Sequence, residues 1–233
     1  MNRLPMSLPF RSFAAAALWA CLVIPPLPAL AADEFSPAER ALFMSNQLAS
    51  LRPPLTLNYR FSKAGTLEEG FDDKVAIRLR AQDGGACCAT SADFLSGPRR
   101  LKLPDVEGAE GNPAILYFLE RDIREMSRLT KGQPNYFRKR IRMAVFQGAQ
   151  IVDVQVPWQG KNVAARQITI APYVDDPLRA RFEKLVGKQY VFTLSDAVPG
   201  GVVAIRTRIE GAAGAPALLA EEMVLDGGAT RSP

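Results

Sequence analysis

Over residues 112–131 the apolar side chains Ile115, Leu119, Ile123 and Met126 recur every three or four positions, whereas upstream and farther downstream they recur every two. A chain that changes from a period of 2 to 3.6 and back must lay a helical insertion over a sheet, because neither element buries its apolar side alone. Asn112 and Pro113 open the helix: Asn accepts a hydrogen bond from first-turn amides, and Pro sits where no donor is needed. Gly132 and Pro134 are expected to stop it. Glu120 with Arg124 and Arg121 with Glu125 are expected as outward pairs four apart, each contributing about 0.3 kcal/mol.

Before the insertion, Ser36 and Pro37 predict a helix over 37–50, ended by Arg52-Pro53-Pro54. Strict alternation predicts strands over 55–61 and 75–80, and 99–103 is a short strand candidate. After it, Phe137, Lys139, Ile141, Met143 and Val145 alternate with Arg138, Arg140, Arg142 and Ala144, which predicts a strand over 136–147. Residues 151–156 and 163–171 read as a hairpin, 175–186 as a short helix capped by Asp175 and Asp176, and 190–194 with 202–209 as a second hairpin around Pro199-Gly200-Gly201. Residues 218–225 are expected at a sheet edge and 226–233 as a disordered tail. The sum is a single α+β domain over 32–225, one largely antiparallel sheet covered by two or three helices.

The first 31 residues have the layout of a cleaved signal peptide: Arg3 and Arg11, an apolar run over 13–27, and Ala29-Leu30-Ala31 before a cut preceding Ala32. The competing reading is a lipoprotein built on Cys21, which the bulky Trp19 and the apolar run beyond Cys21 disfavour. The expected location is the periplasm. Losing Arg3 and Arg11 lowers the net charge from +5 to +3, too small a surplus to bind nucleic acid, though compatible with peripheral contact at an anionic membrane. Cys87 and Cys88 then remain, adjacent, with three states open: a vicinal disulfide, two thiols in the loop 83–88, or a link to another chain.

The chain contains no histidine. This removes the commonest general base and metal ligand and every triad that depends on imidazole, so neither an enzyme nor a bound cofactor is expected. The acid pairs Glu68-Glu69, Asp72-Asp73, Asp175-Asp176 and Glu221-Glu222 read first as solvated or capping residues. A carboxylate-based hydrolase would need Asp72, Asp73, Asp175 and Asp176 around one cleft.

Two features point to binding instead. On a strand, Arg138, Arg140 and Arg142 share one face and can grip a phosphate, a carboxylate or an acidic partner; the plainer reading is a solvated face balanced by the acids of the neighbouring helix. The apolar side of the central helix is wider than core packing needs, and its surplus, chiefly Phe118 and Met126, can line a pocket together with Tyr136.

An export leader, a helix running into an alternating strand over 37–61, and a helix opened by Gly111-Asn112-Pro113 over a largely antiparallel sheet resemble periplasmic lipoprotein carriers of the LolA/LolB type and related exported proteins. The resemblance implies a curved, half-barrel-like sheet with helices as a lid over an acyl-chain cavity. It implies a lipid or lipoprotein acyl chain held between sheet and helices; the apolar surplus and the basic face make Phe118, Met126, Tyr136, Arg138, Arg140 and Arg142 the candidate ligand contacts. The alternative is an assembly factor of a cell-envelope complex that docks a protein partner through the basic face.

Overall fold

The computed structural model describes residues 34–82 and 87–231. The expected signal peptide, its expected cleavage point and most of the loop ahead of the cysteine pair lie outside the described residues. Within them the chain forms eight strands: β1 Leu55–Ala64, β2 Phe71–Ala81, β3 Cys87–Phe94, β4 Gln150–Trp158, β5 Lys161–Ile170, β6 Gln189–Leu194, β7 Val202–Ile209 and β8 Leu219–Arg231. They make one open, curved sheet in the order β3-β2-β1-β8-β7-β6-β5-β4, antiparallel throughout. The α+β expectation holds.

The two ends of this order explain the helices. β3 and β4 are consecutive strands yet lie at opposite edges, so the chain between them must travel the full width of the sheet. It does so as α2 Ala114–Thr130 and α3 Pro134–Gln147. Ahead of the sheet, α1 Pro37–Glu39 continues as a π-helical turn Arg40–Met44. A reciprocal cap starts α1: Glu39 N donates to Ser36 Oγ at 3.1 Å and Ser36 N to Glu39 Oε2 at 2.9 Å.

Inward residues of β1 (Leu55, Leu57, Tyr59, Phe61) alternate with outward ones, as the period of two predicts. With Phe94, Phe118, Phe137, Phe192 and Ile205 they fill the space between sheet and helices, each of these aromatic side chains 1% exposed or less. The hairpin between β4 and β5 turns at Gln159-Gly160, both with positive φ, which a two-residue turn between twisted strands requires.

Several expectations are corrected. Residues 136–147 belong to α3, not to a strand. Phe137, Ile141 and Val145 are spaced by four, and that spacing puts them on one side under either period; Lys139, which only a strand would bury, is exposed. The first helix ends at Met44 rather than at residue 50, because Ser45 is extended. Residues 99–103 form no strand: a short 3-10 turn Gly97–Arg99 leads into a strap over 101–109 that touches β3 through the pairs Phe94–Leu101 and Thr90–Val106. Residues 175–186 make two 3-10 turns, Arg179–Arg181 and Glu183–Leu185. β8 lies in the middle of the sheet, between β1 and β7, and pairs with β1 as far as Arg231, into the segment expected as a tail. Backbone pairing needs no apolar side chains, so composition alone does not mark where a strand stops. Cys87 and Cys88 are joined to each other at the start of β3.

Candidate functional site

Helix α2 has two working flanks. Ile115, Phe118, Asp122 and Met126 face the sheet, while Leu116, Leu119, Glu120, Ile123 and Arg124 lie on another side of the helix and border a groove. The groove is completed by Phe35, Glu39, Phe43 and Met44 from the first helical segment, by Leu103, Pro104 and Val106 of the strap, and by Arg138, Ile141 and Arg142 of α3. It encloses about 800 Å³ and is open to solvent, within the size range of small-molecule sites. Phe35, Phe43, Met44 and Leu116 are all more than a third exposed there, Leu116 at 56%. Apolar side chains gathered at one opening signal a binding surface in a way that scattered ones do not.

The strap wall is fixed from two sides. Tyr117 Oη donates to Pro104 O at 3.0 Å, while Thr90 and Val106 exchange backbone hydrogen bonds of 2.8 and 2.9 Å. Ala109 N donates to Cys88 O at 3.0 Å.

The groove carries three guanidinium groups and two carboxylates. Arg138 Nη2 donates to both oxygens of Glu120 at 2.8 Å, and Arg124 Nε reaches the same carboxylate at 3.3 Å. Glu39 is engaged in the cap of α1. Arg142 is exposed and forms no ion pair among the described residues.

Of the six sequence-predicted contacts, the helical geometry brings together Arg138 and Arg142, four apart on α3. It sends Arg140 to the other side, where Nη2 donates to Pro172 O at 2.9 Å and Nε lies 2.8 Å from Asp176 Oδ2. Tyr136 joins that cluster by donating to Asp176 Oδ1 at 2.5 Å. Burial first, and then this hydrogen bond to a carboxylate, push the Tyr136 phenol up to about 12. Phe118 and Met126 line no groove: both are fully enclosed between α2 and the sheet. The surplus apolar surface belongs to Leu116 instead, which the single stripe through Met126 does not include.

Beneath α2 runs a polar row that the hydrophobic pattern alone does not reveal. Lys63, Glu221, Thr207 and Tyr190 are direct cross-strand neighbours on β1, β8, β7 and β6, all pointing inward and all buried. Two helix side chains meet the row. Arg121 Nη1 donates to Glu221 Oε1 at 2.8 Å, and Asp122 accepts from Lys188 Nζ and, at 2.5 Å, from Tyr190 Oη. Lys63 Nζ also reaches Glu68 Oε2 at 2.6 Å. Burial alone would raise the Glu221 carboxyl, but the charges of Lys188, Arg121 and Lys63 outweigh it and hold Glu221 below its ordinary value. The outward pair expected between Arg121 and Glu125 is therefore absent: Arg121 is buried on Glu221, and Glu125 pairs with Arg128 at 2.7 Å. The visible signal was Asp122 itself, a charge four residues after Phe118 and four before Met126 on the buried flank.

The acid pairs are likewise redistributed. Glu221 and Asp176 are buried rather than solvated. Asp72 and Asp73 stand on β2 beside Arg60, Lys74 and Glu222, whereas Asp176 accepts from Leu178 N at 2.7 Å and faces Arg140 and Tyr136.

No family model matches the sequence, and no curated protein matches it. Among solved structures, the chain is similar to the crystal structure of a LolA superfamily protein from Nitrosomonas europaea, at 6% identity and a TM-score of 0.23, over 84% of this chain and 94% of that one.

Proposed function

We propose that this chain is a non-catalytic exported protein that holds the apolar part of an amphipathic ligand, a lipid or lipoprotein acyl chain, in the groove beside α2. The observation that carries the reading is the convergence of Phe35, Phe43, Met44 and Leu116, all exposed, on one opening with a cationic side. The polar row supports it indirectly. A helix tied to the sheet by buried ion pairs is a fixed platform, so the ligand enters from outside the helical layer rather than beneath it. Each buried CH₂ contributes about 0.8 kcal/mol, so eight of them supply roughly 6 kcal/mol before the cost of immobilising the ligand. The periplasm fits the leader read over residues 1–31.

The test is native mass spectrometry of the mature chain purified without detergent, together with titration by the neutral dye N-phenyl-1-naphthylamine. Dye binding, or a co-purifying lipid displaced by it, supports the reading. A bare protein that gives no fluorescence change contradicts it.

A second reading, an assembly factor that docks a protein, is favoured by one observation. β4 pairs with β5 alone among the described residues and exposes Ile151 and Val152 on its open edge, where an added strand would find free backbone groups.

A further inference from the structure

The groove's charges are unevenly distributed. The strap contributes only Leu103, Pro104 and Val106, while α3 contributes Arg138 and Arg142. Arg138 is satisfied by Glu120, which Arg124 also uses. Arg142 is left beside apolar lining without a carboxylate among the described residues, and Phe146, one turn further along α3, is 48% exposed. A guanidinium in this position offers a planar pair of donors that matches the two oxygens of an oxyanion. Groove cations therefore exceed groove anions by the charge of this one residue.

Building on the groove as a ligand site, we propose that Arg142 selects its ligand, a single-chain amphiphile with an anionic oxyacid headgroup. The apolar chain lies along Leu116, Met44 and the strap, and the headgroup carboxylate or phosphate takes a two-pronged hydrogen bond from Arg142. A cationic headgroup is rejected by the same charge, and a neutral one leaves the guanidinium unmatched.

The experiment is displacement of N-phenyl-1-naphthylamine from the mature chain by laurate, lauroyl lysophosphatidate, dodecyl maltoside and dodecyltrimethylammonium. All are kept below their micelle concentrations in about 50 mM salt, where exposed charges are only partly screened. Both anions are expected to displace the dye at least tenfold more tightly than the maltoside, with the ammonium weakest. The order of the two anions distinguishes a carboxylate from a phosphate site. Arg142→Ala should reduce the anion-to-maltoside ratio to about twofold, Arg142→Lys, which keeps the charge but loses the planar fork, should retain only part of it, and Arg142→Glu should invert it. Equal displacement by all four amphiphiles, or a wild-type ratio that Arg142→Ala leaves intact, overturns the selectivity and leaves the groove reading standing. Failure of the dye itself to bind overturns both.

Discussion

Arg121 on α2 and Glu221 on β8 meet at 2.8 Å, both buried, and join the helical layer to the centre of the sheet. Arg121→Ala removes the nearest partner of the buried Glu221 and leaves it, as cations, only Lys63 at 3.9 Å and the field of Lys188, so the variant is expected to destabilise the fold by about 3 kcal/mol in urea denaturation. The paired replacement Arg121→Met with Glu221→Leu should recover most of that loss, since two matched apolar side chains leave no orphan charge. A double variant as unstable as the single one would show that the helix is held by something else.

Acid should act on the same contact. The folded Glu221 carboxyl lies below its unfolded value of 4.5, because the surrounding cations outweigh burial. A depressed carboxyl adds stability above the unfolded value and loses it as pH falls through the folded one. Stability should therefore decline below about pH 4.5, and the decline should flatten in Glu221→Gln. Parallel curves for the two proteins would remove Glu221 from the acid response.

Alkali probes the filled interior. All five tyrosines, Tyr59, Tyr117, Tyr136, Tyr173 and Tyr190, are held above the ordinary phenol range, burial being the largest cause in each. A raised phenol favours folding up to its unfolded value near 10, and that contribution disappears as pH rises further. Ultraviolet titration should show no tyrosine ionising normally around pH 10, with ionisation and unfolding arriving together. A reversible step near 10 in the folded protein would contradict the packing described.

The two flanks of α2 should respond oppositely to substitution. Phe118→Ala empties a fully enclosed site and is expected to cost about 3–5 kcal/mol. Leu116→Glu alters a side chain already 56% exposed, and should change stability by no more than about 0.5 kcal/mol while cutting dye binding at least tenfold. Thermal melts and dye titration of the two variants separate the roles.

Much of this fold is legible in the sequence where two independent signals agree. β1, the β4-β5 hairpin and the β6-β7 hairpin combine alternation with turn residues. α2 combines a stripe with an opening Asn, whose Oδ1 does accept from Ala114 N at 3.0 Å. Legibility fails where one signal fits two structures. Apolar residues four apart at Phe137, Ile141 and Val145 satisfy helix and strand equally, and the arginines between them, which alternation puts on one face, belong to two sides of a helix. The central place of β8 is hidden in the sequence because its inward Glu221 has the look of a solvent residue until its partners on β1 and α2 are known. The groove has no signature in the sequence for a related reason: Phe35, Met44, Leu103 and Leu116 are distant in sequence and share no period, and they meet only because the segment ahead of β1 packs against the helices that cross from β3 to β4.

An apolar chain bound outside the helical layer is detected directly by methyl-resolved NMR with a nitroxide-labelled fatty chain. The methyl signals of Met44, Leu103, Val106 and Leu116 should broaden most on adding the label, while those of Met126 and Ile77, enclosed on the far side of α2, should broaden less. Broadening at Met126 and Ile77 with Leu116 untouched would place the chain under α2 and contradict the account.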